Sequence, residues 1–402
     1  PMAKRRMNAP RMLTQALLRS VSAVHLRRPT AIAALVLVLF YFVVLPGLEK
    51  SLRPRPLSGN TERRCLRQQQ QSVVCFLKTH KCASSSVQNV MMRYGESHNL
   101  TFVLPKKNNY LGHPLLFNRS IAPGKPPFDM LVHHARFQET EMRAVLRPQP
   151  RFVTIVREPA SLFESLYGYY GLQKRSGMSL EKFVDTSVVN SSTRGLLARS
   201  WTHSKIGFNQ MSYDLGLEPT EFGNATAVRR FIEQLDSAFD LVMVAERMDE
   251  SLVLLKDLLC WETDDVVLFR LNARQSEYRS PLSPQLADKI RLLNGADSLL
   301  YEHFAQRFDL QVREFGEQRM AVELRLLRER TKYWYDRCVI DVHRPEKNKR
   351  TAGRKFWISY RVVVLRAKNE SAEECARMSM PELEYTERLR QRQFGSATTL
   401  RA

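Results

Sequence analysis

The chain has 402 residues, enough for one large domain or two smaller ones with a substantial core, and 62 Lys+Arg against 41 Asp+Glu give a formal net charge of +21. Such an excess favours an acidic partner: nucleic acid, an anionic membrane surface or an anionic small substrate. The basic residues are spread along the chain rather than gathered into one arm, which argues against nucleic acid, and no internal repeat points to a solenoid.

Residues 1–30 carry seven Arg or Lys and no acid, and Ala31 to Leu48 follow as AIAALVLVLFYFVVLPGL, an uncharged run near the lower limit for a membrane-spanning helix. The pattern predicts a cytosolic tail (1–30), an uncleaved signal anchor (31–48) and a type II topology, although Lys50, Arg53 and Arg55 nearly balance the flank. A cleaved signal peptide is the rival reading, but no small-residue cleavage site follows. Residues 49–71, rich in Arg, Pro and Gln, read as a stem, and 72–402 as a lumenal domain. Five N-x-[ST] sequons, at Asn99, Asn118, Asn190, Asn224 and Asn369, all fall after the span, as a lumenal domain requires. The six cysteines, Cys65, Cys75, Cys82, Cys260, Cys338 and Cys375, lack paired metal spacing, so no zinc site is expected. In a lumenal compartment some should pair, with Cys75 a buried thiol.

The organising stretch is Ser72 to Tyr94, SVVCFLKTHKCASSSVQNVMMRY. Val73 to Leu77 is an apolar run typical of a buried strand, and from Ser84 the spacing of Val87, Val90 and Met91 becomes helical. Between them Lys78, Thr79, His80, Lys81, Ser84, Ser85 and Ser86 gather cations and hydroxyls at a helix N-terminus, an anion cradle suited to phosphate or sulfate. It is not a Walker loop, because GxxxxGK[ST] is missing. The bland alternative is a strand-to-helix turn in which Ser84 caps the helix.

Asn99 to Pro127 is a Pro-rich loop long enough to be a substrate loop. Met130 to Phe137 reads as a strand ending in His133 and His134, followed by a helix from Gln138 to Leu146. RFVTIVREPASLFESLYGYY (151–170) repeats the strand, charged turn and helix; Arg157 and Ser165 can grip a phosphate together, or Arg157 can simply pair with Glu158 or Glu164. Gln173 to Thr226 is polar and weakly periodic, with Tyr213-Asp214-Leu215-Gly216 its most structured piece. A helix from Ala225 to Leu235, a strand from Phe239 to Val244, a helix from Glu250 to Cys260 and an edge strand from Val266 to Phe269 follow. Pro284 to Tyr335 is helical with a break near Arg307 to Asp309, and His343 to Lys355 is a basic loop. The alternation predicts an α/β fold with a mainly parallel sheet flanked by helices.

FLKTHKCASSSV, HHARF, VREPASLFESLYGYY and LVMVAERMDESLVLLKDLLCWETDDVVLFRLNAR resemble the Golgi galactose 3-O-sulfotransferases, relatives of galactosylceramide sulfotransferase. The similarity runs from about Val73 to Arg274 and returns near Cys338 and MSMPELEY. It implies a P-loop-like sulfotransferase fold, 3′-phosphoadenylyl sulfate (PAPS) as donor, no metal, and a terminal β-galactose as acceptor. It assigns Lys78, Thr79, Lys81, Ser84 and Ser85 to the 5′-phosphosulfate loop, Arg157 and Ser165 to the 3′-phosphate, and His80 and His134 to the acceptor side, with Lys81 stabilising the leaving group. Either histidine suits the general base, and His80 is favoured because it belongs to the donor loop. Cys82, Ala135 and Glu158 depart from the family's usual residues, and Cys82 puts one hydrogen bond to the donor in question. The expected partners are galactose-terminated glycans of glycoproteins or oligosaccharides at the Golgi membrane, with galactosylceramide as alternative acceptor and a non-catalytic glycan-binding relative or a kinase as rival readings. No nucleic acid is expected, and the sequence leaves the oligomeric state open.

Overall fold

A computed structural model describes residues 70–189, 207–271, 282–343, 364–368 and 372–395. The tail, the span at 31–48, nearly all of the stem, Cys65, Asn190, Asn369 and the basic loop beyond His343 lie outside them. Among the described residues no helix is long and apolar enough to cross a membrane.

The chain passes through β1 (Val74–Leu77), α1 (Ser84–Ser97), β2 (Met130–Leu131), α2 (Glu139–Val145), β3 (Arg151–Val156) and α3 (Pro159–Tyr169). Next come α4 (Leu172–Ser176), α5 (Leu180–Val189), α6 (Gln210–Asp214), α7 (Ala225–Ala238), β4 (Leu241–Val244) and α8 (Met248–Leu259). The C-terminal part holds α9 (Pro284–Leu293), α10 (Gly295–Phe315), α11 (Glu317–Cys338), β5 (Val339–His343), β6 (Val364–Ala367), α12 (Glu373–Ser379) and α13 (Glu382–Phe394).

Four strands form one parallel sheet in the order β2-β1-β3-β4, in the register Val74↔Arg151 and Val153↔Leu241. Every residue of β1 and β4 is buried, which explains why these strands read as unbroken apolar runs: helices cover the sheet. The chain leaves β1 for one side to make β2 and then crosses to the other side for β3. That reversal opens a crevice at the strands' C-terminal ends, where such sheets bind ligands.

Several expectations change. The strand expected over 130–137 stops at Leu131, because the following residues pair singly with the Pro-rich loop, Tyr110 with His134 and Leu116 with Arg136. Val266 to Phe269 is not a strand: the Arg93 guanidinium reaches the carbonyls of Asp265 and Val267, where a neighbouring strand would bond. Helices α4 and α5 occupy the stretch read as weakly periodic, anchored by buried Leu172, Phe183 and Val184. The long C-terminal helical region breaks at Asn294 and at Gly316 (φ 95°) rather than at 307–309, where Phe308 is core and the Arg307 guanidinium donates to Asp236 and Phe239. The antiparallel β5–β6 pair was not expected from the pattern. Beside it Cys338 is bonded to Cys375, and Cys260 is disulfide-bonded as well, whereas Cys75 and Cys82 are buried thiols.

Candidate active site

The loop after β1 turns without glycine, with Lys81 (φ 60°) and Ala83 (φ 61°) both in the left-handed region. Such backbone is strained for non-glycine residues and has to be held by its surroundings. Here Thr79 Oγ1 donates to Ile155 O (2.6 Å), Ser84 Oγ to Thr79 O (2.5 Å) and Arg157 Nη1 to Lys81 O (2.9 Å). Ser84 therefore braces the loop rather than capping α1, whose N-cap is Ala83 without a side-chain bond. Thr79 is fully buried with its hydroxyl turned to β3, away from the cleft.

A cleft of about 1200 Å³ lies over the loop, with Lys81, Ser84, Ser85, Arg157 and Ser165 in its wall. The residues expected to hold the donor's two phosphates thus share one cavity, with the exception of Thr79. Lys81 Nζ sits 3.6 Å over the Tyr169 ring. Arg157 does not pair with Glu158, which instead caps α3 through Ala160 N and Ser161 N and pairs with Arg291 at 2.9 Å. The Cys82 thiol points inward, 3.4 Å from His80 O, so its replacement of a hydroxyl does not face the cleft.

The two candidate bases differ sharply. His80 Nδ1 lies 2.8 and 2.9 Å from the Asp214 oxygens, and His80 N donates to the same carboxylate at 2.7 Å. Gln210 Nε2 supports Asp214 at 2.8 Å. An acceptor-only partner on Nδ1 puts the ring's proton there and leaves Nε2, 3.3 Å from Tyr110 Oη, as the basic nitrogen. His134 stacks on His80 with centroids 4.2 Å apart, but both of its nitrogens are engaged: Nδ1 donates to Lys78 O (3.0 Å) and Nε2 meets Lys78 Nζ at 3.1 Å. Burial, then the charges of Lys78, His80 and His113, hold the His134 pKa well below the ordinary histidine range. Burial alone would raise the Asp214 pKa, but the His80 charge and hydrogen bond, with the nearby His113 imidazole, bring it below the ordinary carboxylate value.

Lys78, expected on the donor, lines the same cleft but is engaged by a carboxylate. Its buried Nζ donates to both oxygens of Glu382 at 2.7 Å. Burial lowers its pKa, while the Glu382 charge opposes that shift. Ser85 Oγ (3.0 Å) and Asn109 Nδ2 (2.7 Å) donate to the same carboxylate. His80, His113 and Asp214 also bring potential ligand atoms within 4.8 Å of one another, a geometry open to a metal. Both Asp214 oxygens are already occupied by His80 and Gln210, and His113 Nε2 stands 3.7 Å away, so the group is better described as a hydrogen-bonded His–Asp pair.

Reading by motif missed Asp214, Tyr110, Asn109 and Glu382. Signals existed for two of them, since Asp214 lies in the most structured piece of a weak region and Glu382 within MSMPELEY. Of the sequons, Asn99, Asn118 and Asn224 are exposed, and Asn118 and Asn224 accept backbone N–H bonds from Ser120 and Ala227 through Oδ1, bonds in which the amide nitrogen, the atom that carries a glycan, takes no part.

The chain is 37% identical over 264 residues to the galactosylceramide sulfotransferase of Bos taurus, a match covering 63% of this chain and 61% of that one. It is 35% identical over 343 residues to galactose-3-O-sulfotransferase 3 of Mus musculus (80% and 78%), and 33% identical over 344 residues to galactose-3-O-sulfotransferase 2 of Homo sapiens (80% and 83%). The galactose-3-O-sulfotransferase family model matches residues 10–393, almost the whole length, and the chain belongs to that family.

Proposed function

We propose that the protein transfers a sulfuryl group from PAPS to the 3-hydroxyl of a terminal β-galactose. The observation that carries this is the His80–Asp214 pair, whose His80 lines the same cleft as Lys81 and Arg157. A sugar hydroxyl is a weak nucleophile and must lose its proton as its bond to sulfur forms; His80 Nε2 takes that proton. Lys81 stabilises the negative charge that appears on the phosphate oxygen when the old S–O bond breaks. Arg157 and Ser165 hold the donor's 3′-phosphate, and Ser85 through its hydroxyl and Ser84 through its backbone N–H at the start of α1 meet the 5′-phosphate. His134 aligns the acceptor. The parallel sheet with its anion loop after β1 supports a P-loop-like sulfotransferase arrangement without Walker residues.

The acceptor class is a galactose-terminated glycan of glycoproteins or oligosaccharides; the longer matches are to relatives whose names specify galactose 3-O-sulfation and no lipid. The higher identity to the bovine galactosylceramide sulfotransferase supports the glycolipid as second reading. The protein is placed in the Golgi membrane as a type II protein, anchored by 31–48, with 49–71 as stem and 72–402 lumenal; the Cys338–Cys375 disulfide and the exposed sequons support an oxidising, glycosylating compartment. Label transfer from PAPS to Galβ1-4GlcNAc, Galβ1-3GalNAc and galactosylceramide tests the reaction. Product that disappears when the galactose 3-position is blocked is expected; no transfer by folded protein that binds the donor would refute the reading.

A further inference from the structure

One charged group at the reaction centre has no part in this chemistry. Glu382 is the first residue of α13, and that helix is firmly fastened: Tyr385 Oη and Arg388 Nε donate to Glu96 at 2.8 and 2.6 Å, Thr386 Oγ1 lies 3.0 Å from His133 Nε2, and Gln393 bonds the Phe102 backbone on both sides. The carboxylate is thereby delivered into the cleft wall, nearly buried, against Lys78 and Asn109. Stability does not explain it, because desolvating both members of a buried ion pair consumes most of what their attraction returns. Through Lys78 and His134 it stands close to His80: Lys78 Nζ touches both Glu382 and His134, and His134 stacks on His80.

We propose that Glu382, with Asn109, reads the axial 4-hydroxyl of the acceptor galactose; the inference rests on the 3-O-transfer reading above. With the 3-hydroxyl at His80 Nε2, its ring neighbours are the 2- and 4-hydroxyls, and of these only the 4-hydroxyl distinguishes galactose from glucose. A carboxylate beside a carboxamide matches a hydroxyl, the first accepting its proton and the second donating to its oxygen. The four hydrogen bonds that Glu382 now accepts include one from Ser85. Once Ser85 turns to the donor's phosphate, a lone pair on Oε2 is open to the sugar. A site built to bond a hydroxyl rejects an analogue lacking it far more strongly than shape alone could, because its own polar groups are left unpaired.

The test compares wild type, Glu382→Gln and Asn109→Ala on a β-galactoside, its 4-deoxy and 2-deoxy analogues and the matching β-glucoside, reading kcat/KM, with 3′-phosphoadenosine 5′-phosphate (PAP) affinity measured separately. Wild type should prefer the galactoside over the 4-deoxy analogue by about 100-fold or more. In Glu382→Gln that preference should shrink at least about tenfold, with the 2-deoxy penalty and PAP affinity unchanged. Asn109→Ala, on a half-buried loop, should shrink it in the same direction and serves if Glu382→Gln fails to fold. An undiminished 4-hydroxyl preference in folded Glu382→Gln, or in Asn109→Ala if the first does not fold, overturns the proposal, as does coupling to the 2-hydroxyl instead. Failure of wild type to sulfate any galactoside would bring down the reaction reading and this assignment with it, whereas an unchanged 4-hydroxyl preference in an active variant brings down this assignment alone.

Discussion

Replacing Asp214 by Asn changes almost no volume yet should disable the base. The carboxylate accepts from His80 Nδ1, His80 N and Gln210 Nε2 in a fully buried setting. Asn has one acceptor oxygen in place of two, so one of these donors loses its partner; if the NH₂ faces His80, the ring proton moves to Nε2 and the base can no longer accept. Losing one hydrogen bond to a charged group is worth roughly 1.5–3 kcal/mol, or about 10- to 150-fold in rate. A wrong tautomer adds to this, as the roughly 10⁴-fold loss in the corresponding serine-protease substitution illustrates. The expected fall in kcat is therefore between about 10² and 10⁴, with PAP affinity preserved, because the donor-side groups Lys81, Arg157 and Ser165 are not touched. Steady-state kinetics together with PAP calorimetry and a thermal melt separate the effects. A kcat within tenfold of wild type, or a defect confined to donor affinity, would refute the dyad.

Three further outcomes follow from the same geometry. Burial holds the His133 pKa down to about 3, so the unfolded chain binds a proton that the folded chain refuses once the pH drops below about 6.5; stability is fully present above that and should fall by roughly 2 kcal/mol at pH 5 from this residue alone. Asp297, raised by burial to about 6, works in the opposite direction over part of that range, so the readout is a smaller urea-midpoint loss between pH 7 and 5 in His133→Asn than in wild type; equal losses would contradict it. Reducing Cys338–Cys375, which closes a separation of 37 residues beside α12, should lower stability by up to about 4 kcal/mol and cut activity by loosening the segment that carries Glu382; full activity in a folded Cys338→Ala/Cys375→Ala variant would argue against that link. Gly216 has φ +107°, and a Cβ there would meet Phe137 O at 2.7 Å, so Gly216→Ala should cost about 1–3 kcal/mol by denaturant titration, a change under about 0.5 kcal/mol being the refuting result.

The strand-loop-helix units were legible because strands covered on both faces are apolar throughout, and because the cations and hydroxyls of 78–86 are consecutive. Local runs encode local structure. The partners of the candidate-site residues were not legible, because they are remote: Asp214 lies 134 residues from His80, and Glu382 lies 304 from Lys78. Neither carries a motif, since a single acidic residue acquires its meaning from the surface against which the chain packs it. The strand ends failed for a related reason: whether His133 and His134 continue β2 is decided by the Pro-rich loop that pairs beside them, not by their own propensity.

The division of the two lysines and two histidines follows from what each can still do after folding. Lys78 and His134 are tied to one another and to Glu382, so a proton arriving at His134 Nε2 would have to displace an ammonium and add a second positive charge in a buried site. His80 has the reverse arrangement. Its inner nitrogen faces a carboxylate, so protonating the outer one completes an ion pair with Asp214 instead of crowding a cation. Tyr110 Oη occupies the place beside Nε2 where an acceptor hydroxyl would have to sit. The same electrostatic reasoning that disfavours His134 as base suits it to positioning, and under the proposed reaction the loop's two lysines divide their work: Lys81 for the donor, Lys78 to balance the Glu382 carboxylate.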